Sequence, residues 1–184
     1  MLLRDFKQED IAKRIEWETV KTEWQLWDAP WEYEGLTEEQ KKEELQKYIK
    51  AMEKWAALSE TLTDEMPRKS FQICTPEGEY VGWCGSYFIN EDCCFDENGD
   101  RLAVGIDLPE ESARRKGLAT HALQLFMAYL RTLGFTELYT QTWSGNVRMI
   151  KLAEKLGFTE CCRKQKLRMV RGQQYDGLTF RIKL

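Results

Sequence analysis

Hydrophobic positions along this chain change period several times, and each change marks a predicted element. Met1–Phe6 reads as a short strand. From about Gln8 to Thr19 the period is helical, with Ile11 and Ile15 on one face. The segment Trp24-Gln25-Leu26-Trp27-Asp28-Ala29-Pro30-Trp31 is aromatic and broken by proline. A charged helix follows, with Thr37 as N-cap, Glu38 and Glu39 in the first turn, and Gln40 where a capping box wants Glu or Gln. Leu45, Tyr48, Ile49, Met52 and Trp55 fall at helical spacing and form its predicted buried stripe.

Pro67 marks the change to strand. Ser70–Cys74 and Tyr80–Phe88 flank the turn Pro76-Glu77-Gly78-Glu79 and predict a β-hairpin, and Asn90–Asp100 is a polar, acidic, exposed loop. Leu102–Leu108 alternates as a strand. A helix from about Leu118 to Leu133 presents Ala122, Leu125, Phe126 and Tyr129 on one face and stops at Gly134. Leu138–Trp143 is a strand and Asn146–Leu156 a short helix ended by Gly157. Two closing strands lie near Phe158–Met169 and Leu178–Lys183. Strands interleave with helices and outnumber what a doubly wound sheet needs, so the class is α/β or α+β, in one domain spanning residues 1–184.

The length, 184 residues, suffices for a real core. A net charge of -4 gives no reason to expect nucleic acid or an anionic membrane as partner, and if anything suits a cationic substrate. The N-terminus reaches charge too quickly for a secretory signal, and no stretch is long and apolar enough to span a bilayer. Cys74, Cys84, Cys93, Cys94, Cys161 and Cys162 form two adjacent pairs and two singletons, which is not a CxxC zinc pattern. Reduced thiols in a cytoplasmic protein without a metal are the expectation.

The chemistry concentrates in a strand, a polar turn, a glycine and a helix: Ala103–Leu108, Pro109–Ala113, then Arg114-Arg115-Lys116-Gly117-Leu118-Ala119-Thr120. Backbone N–H groups at a helix start lack intrahelical partners, and the macrodipole adds partial positive charge, so such a turn accepts phosphate. Gly117 removes a Cβ from the approach and Ala119 is small. Arg115 and Lys116 add charge, and the Thr120 hydroxyl adds a donor. Neither the P-loop pattern nor GxGxxG is present, which disfavours a nucleoside triphosphate or a dinucleotide.

Arg114-x-x-Gly117-x-Ala119 resembles the Arg/Gln-x-x-Gly-x-Gly/Ala signature of the GNAT acetyltransferases. Asn146-Val147-Arg148-Met149-Ile150 followed by Lys155-Leu156-Gly157-Phe158 is similar to the family's second block, and Arg171-Gly172-Gln173-Gln174-Tyr175-Asp176-Gly177 resembles the Gly-x-Tyr-x-Asp hairpin of the ribosomal-protein and spermidine acetyltransferase branch. The resemblance implies a mixed, mainly antiparallel sheet with helices on both faces, in which two central parallel strands, Leu102–Leu108 and Leu138–Trp143, splay into a V. It implies acetyl-CoA as co-substrate, with pantetheine along Asp107 and Leu108, pyrophosphate on the amides of Arg115–Thr120, and Asn146 on the CoA arm. Asn146 equally suits a helix N-cap.

The implied reaction is direct attack of a primary amine on the thioester, with a polyamine, another small amine or a protein N-terminus as acceptor. The backbone N–H of Leu108 would stabilise the oxyanion and Asp107 is the candidate base, though a solvated turn carboxylate is the plainer role for it. The positions where relatives carry a Tyr or Ser general acid hold Ala153 and Met149 here. His121 suits a surface or packing role. Trp27, Asp28 and Trp31 stand where the branch closes its acceptor pocket, although such aromatics also serve to pack the first helices on the sheet. A non-catalytic acyl-CoA-binding module is the alternative, and a homodimer is compatible with either.

Overall fold

The computed structural model describes residues 2–184; Met1, placed by the sequence in the first strand, lies outside the described residues. The strands are β1 (Leu2–Arg4), β2 (Ser70–Cys74), β3 (Tyr80–Ile89), β4 (Arg101–Asp107), β5 (Glu137–Trp143), β6 (Thr159–Val170) and β7 (Gln173–Lys183). The helices are α1 (Asp10–Thr19), α2 (Glu38–Ser59), α3 (Leu118–Thr132) and α4 (Val147–Lys155). The strands make one sheet in the order β1-β2-β3-β4-β5-β7-β6. Every neighbouring pair is antiparallel except β4 and β5.

That parallel pair has a single registered contact, Ala103 opposite Tyr139, and beyond it the strands part. The V expected between them is therefore present. Alternation along β4 assigns the two faces of the sheet. Leu102 and Val104 join the main core with Phe126 and Leu130 of α3 and Ala153 of α4. Ala103, Gly105 and Asp107 point the other way. Trp83 lies directly across from Asp107 in the β3–β4 register and packs against Trp17 of α1 at 6.0 Å between rings. Helices α3 and α4 thus cover one face, and α1 lies on the face that carries Asp107.

Local chemistry explains the element boundaries. Thr37 and Gln40 form the reciprocal capping box at the start of α2. The aromatic segment folds into two short 3-10 turns, Thr22–Leu26 and Pro30–Glu32, with Pro30 opening the second. Strand β7 starts five residues earlier than the hydrophobic pattern suggests. Arg171 and Gly172, at φ 48° and 76°, make a two-residue hairpin turn that pairs Val170 with Gln173 at once.

Two core expectations need correction. Trp55 is 46% exposed, because the buried stripe of α2 runs through Met52 and Ala56 and leaves that indole edge-on to Phe6 and Tyr48. Leu125 is 39% exposed, since α3 turns Ala122, Leu123, Phe126, Met127 and Leu130 to the core instead. A period-3.6 pattern with apolar residues at neighbouring positions allows either face, and packing against the sheet selects one.

Candidate active site

Gly117 is the N-cap of α3 and adopts φ +81°, with no side chain capping the helix. The first helical bond of this turn runs from the His121 N–H to the Gly117 carbonyl at 3.1 Å. The amides of Leu118, Ala119 and Thr120 precede it and have no intrahelical acceptor. Glycine is required here for its left-handed backbone, and the space a Cβ would occupy has nothing within 4 Å. The open cradle and its orphan donors fit a phosphate group. Arg115 sits at φ 58° and is exposed beside the turn, as is Lys116.

Arg114, the first residue of the motif, has a different duty from its neighbours. Its Nε donates to the Leu108 carbonyl at 2.8 Å and one NH2 donates to the Pro109 carbonyl at 2.9 Å, while the other terminal nitrogen pairs with Glu23. The side chain therefore fastens the end of β4 to the turn rather than reaching toward an anion. Asn146 is likewise committed. Its Oδ1 accepts from the Met149 N–H at 3.0 Å, capping α4, and its Nδ2 donates to the Trp27 carbonyl at 2.7 Å. Its cap role is observed, and its amide ties α4 to the aromatic segment.

Trp27 is held from several directions. Trp143 Nε1 donates to the same Trp27 carbonyl at 2.8 Å, and the Arg148 guanidinium lies 3.9 Å over the Trp27 ring. The Trp27 indole donates to Glu23 at 2.8 Å, and Arg148 pairs with that carboxylate at 2.8 Å. Burial opposes ionisation of Glu23, but Arg148, Arg114 and the Trp27 N–H hold its carboxyl down at about 2. Trp31 packs edge-on to Trp143 and lies 4.4 Å beneath Arg168.

A cavity of about 1100 Å³ is lined by the Gly117–Thr120 turn, by Asp107 and Leu108, and by Trp27, Asp28 and Trp31. A second, of about 1590 Å³, is lined by Arg14, Glu18, Tyr33 and Trp83. Trp24, Asp28 and Asp107 border both. The site thus has a phosphate end and an acid-walled end, meeting at two carboxylates. Among the described residues, no backbone or side-chain acceptor takes the Leu108 N–H.

Burial, then the neighbouring charge of Asp28, raises the Asp107 carboxyl well above the ordinary carboxylate range. Asp28 opens onto both cavities, yet the surrounding protein, aided by Glu32, raises it to about 6. Burial also brings Glu18 to about 6, against the pull of Arg14. Arg14 is buried and lies 3.3 Å over Trp83, and it donates to Tyr80, Tyr48 and Gln72 at 2.6, 2.8 and 3.1 Å. Among the described residues no carboxylate pairs directly with it, and its charge acts on Glu18 and Asp107 through space.

Asp107 and Leu108, expected on the CoA arm, and Trp27, Asp28 and Trp31, expected at an acceptor pocket, all line the first cavity. Sequence reasoning missed Arg14, Glu18, Glu23, Trp83 and Tyr87. The first two sit four residues apart on α1, a spacing that was available as a signal, and Trp83 follows from the hairpin register. Tyr87 lines the first cavity and donates to Gln141 at 3.4 Å; burial raises its phenol, which keeps its proton. Ala153 is fully buried in the core, so the usual acid position faces no site, whereas Met149 lines the cavity.

The sheet, its V and the helix-start cradle define an acyl-CoA-type transferase. The sequence model of the acetyltransferase (GNAT) domain matches residues 1–159. The chain belongs to that family and is an N-acetyltransferase. No curated protein matches it in sequence. Among solved structures, it is similar to the ribosomal-protein-alanine N-acetyltransferase from Brucella melitensis, with 17% identity, 100% of each chain covered and a TM-score of 0.63. It is also similar to yncA from Salmonella typhimurium, solved with acetyl-CoA, at 15% identity over 100% of this chain and 94% of that one, TM-score 0.65. RimL, a ribosomal L7/L12 α-N-protein acetyltransferase solved with coenzyme A, gives 15% identity over 99% and 93%, TM-score 0.65. Identities this low establish the shared fold.

Proposed function

We propose that the chain transfers the acetyl group of acetyl-CoA to a primary amine, and that the acceptor is a small cationic amine rather than a protein N-terminus. The observation that carries this reading is the meeting of the two cavities at Asp28 and Asp107. One cavity ends on the phosphate cradle, and the other has indoles and more acidic than basic side chains in its lining, Arg14 among the latter, a balance suited to an alkylammonium. Acetyl-CoA and coenzyme A in the related structures agree with the donor assignment.

Acetyl-CoA supplies an activated acyl group at a thioester. The residues of this chain do the rest. The amides of Leu118–Thr120 bind the pyrophosphate. The free Leu108 N–H stabilises negative charge developing on the thioester oxygen. An alkylammonium with a pKa near ~10.4 is almost entirely protonated at neutral pH and must lose a proton before it attacks. Asp107, raised by burial and by Asp28, is a better proton acceptor than an ordinary carboxylate. The pair together holds the cation until that transfer. A CoA thiolate is a tolerable leaving group, so the alanine at position 153 does not stop the reaction.

The test is acetyl transfer from acetyl-CoA, followed as thiol release, over a panel of polyamines, aminoglycosides, amino acids and N-terminal peptides. Rapid release with small di- and polyamines is expected. Release only with N-terminal peptides would overturn the acceptor assignment, and none above hydrolysis with any acceptor would overturn the reaction.

A further inference from the structure

Three of the six cysteines, Cys93, Cys161 and Cys162, line one small cavity, with Cys94 next to Cys93 on the same loop. The loop between β3 and β4 folds back across the sheet face that carries Asp107. Gln141 Nε2 of β5 donates to the Cys93 carbonyl at 2.9 Å, and Lys164 Nζ of β6 donates to the same carbonyl at 3.3 Å and to Cys94 Sγ at 3.0 Å. Cys93 is pinned there at φ 56°.

Strand β6 contributes through a bulge. Glu160 pairs with Phe180 and Cys162 with Thr179, leaving Cys161 without a partner in the ladder. Such an insertion re-aims side chains, and both Cys161 and Cys162 line a cavity of about 480 Å³ together with Cys93. Register is regular from Cys162 to Lys164, so these two share the face under the loop. Arg101, Arg181 and Lys164 make the cavity electropositive against Glu91 and Asp92. Cys93 of the loop and Cys162 of β6 thus face one another across that small cavity's lining. Burial raises the Cys162 thiol, and both cysteines are free thiols in this structure.

We infer that Cys93 and Cys162 form a reversible disulfide under oxidant, locking the β3–β4 loop onto β6. With hydrogen peroxide as oxidant, one thiol attacks the O–O bond and becomes a sulfenic acid with release of water. The second thiol then attacks the sulfenic sulfur, forming S–S and releasing a second water. Cys93, Cys94 and Lys164 also line the larger cavity, so the bridge fixes one wall of the acetyl-transfer site. That regulatory consequence rests on the function proposed above; the bridge itself does not.

The reduced full-length chain is treated with hydrogen peroxide, its remaining thiols are alkylated, and peptides are mapped without reductant. One intramolecular link between Cys93 and Cys162 is expected, with free thiols falling from six to four and recovering with dithiothreitol. Cys162→Ser removes the link and Cys161→Ser leaves it in place. Should Cys162→Ser fail to fold, the wild-type map decides alone. Six remaining thiols, a link between chains, or one joining Cys93 to Cys94 or Cys161 to Cys162 overturns the assignment. Amine acetylation by the oxidised chain is expected to fall several-fold and return with dithiothreitol; a bridged chain of unchanged activity overturns the regulatory part. No activity in the reduced chain would instead count against the acetyl-transfer reading and leave the bridge standing.

Discussion

The phosphate turn and the acceptor wall face one cavity, but they are built in opposite ways. From Arg114 to Thr120 the work falls to backbone: a left-handed glycine, three unpaired amides and the start of a helix. From Thr22 to Glu34 it falls to side chains fixed by distant partners, with Trp27 held by Trp143, Asn146, Arg148 and Glu23. A backbone site recognises a group common to every donor, whereas a side-chain site can change with the acceptor. The two halves should therefore respond separately to substitution.

The largest effect is expected at the backbone half. Gly117→Leu places a side chain in the cradle and forces it into φ +81°. Loss of two charge-assisted amide contacts, at ~1.5–3 kcal/mol each, weakens CoA binding ~100-fold or more. Calorimetric titration with CoA checks this, and retained affinity would show that the phosphate lies elsewhere.

Acidity comes next. Asp28 and Glu18 are raised to about 6 in the folded chain, so their charged forms, which in the proposed function attract the ammonium, are lost as pH falls through about 6. For kcat/KM the expectation is a drop of at least about tenfold per pH unit below that point, rising toward about a hundredfold where both charges are needed, with CoA binding unchanged. For stability the sign is opposite: the folded chain holds these protons more tightly, so stability declines as pH rises from the ordinary carboxylate value toward 6. A cationic acceptor should reverse that decline. A flat pH–rate profile from 5 to 7 would contradict the assignment.

Asp28→Asn should raise the acceptor KM by about tenfold, the value of one charge-assisted contact, and leave the affinity for CoA alone. A matching loss in CoA affinity would mean that the two halves are not separable. The smallest effect belongs to Glu23→Gln, which loosens the tie among Arg114, Arg148 and Trp27. A fall of about 2 °C in Tm, with a modest rise in acceptor KM, is expected. Because its carboxyl sits at about 2, the stability Glu23 provides is present above the ordinary glutamate range and disappears only as pH falls toward 2.

The same contrast decides what could be read in the sequence. Gly117, the capping box of Thr37 and Gln40, and the parallel strands were legible because each depends on a few consecutive residues. Asp107 and Leu108 were legible through their place at the strand end. The acid wall was only partly so, since Glu18 of α1 and Asp28 between two 3-10 turns meet Asp107 of β4 solely in the folded chain. Arg114 and Asn146 show the limit from the other side. Both belong to motifs, yet their side chains are taken by Glu23 and the Trp27 carbonyl, contacts of 91 and 119 residues' separation that no local pattern encodes. The exposure of Trp55 and Leu125 has a similar origin in packing.

The claim that one cavity joins a donor cradle to a carboxylate pair is tested most directly by Asp107→Asn, with CoA affinity and amine acetylation measured on the same preparation. The account predicts unchanged CoA binding with turnover reduced ~100-fold or more, the usual weight of a general base. Turnover within a few-fold of the parent chain, or CoA binding lost along with it, would contradict the account.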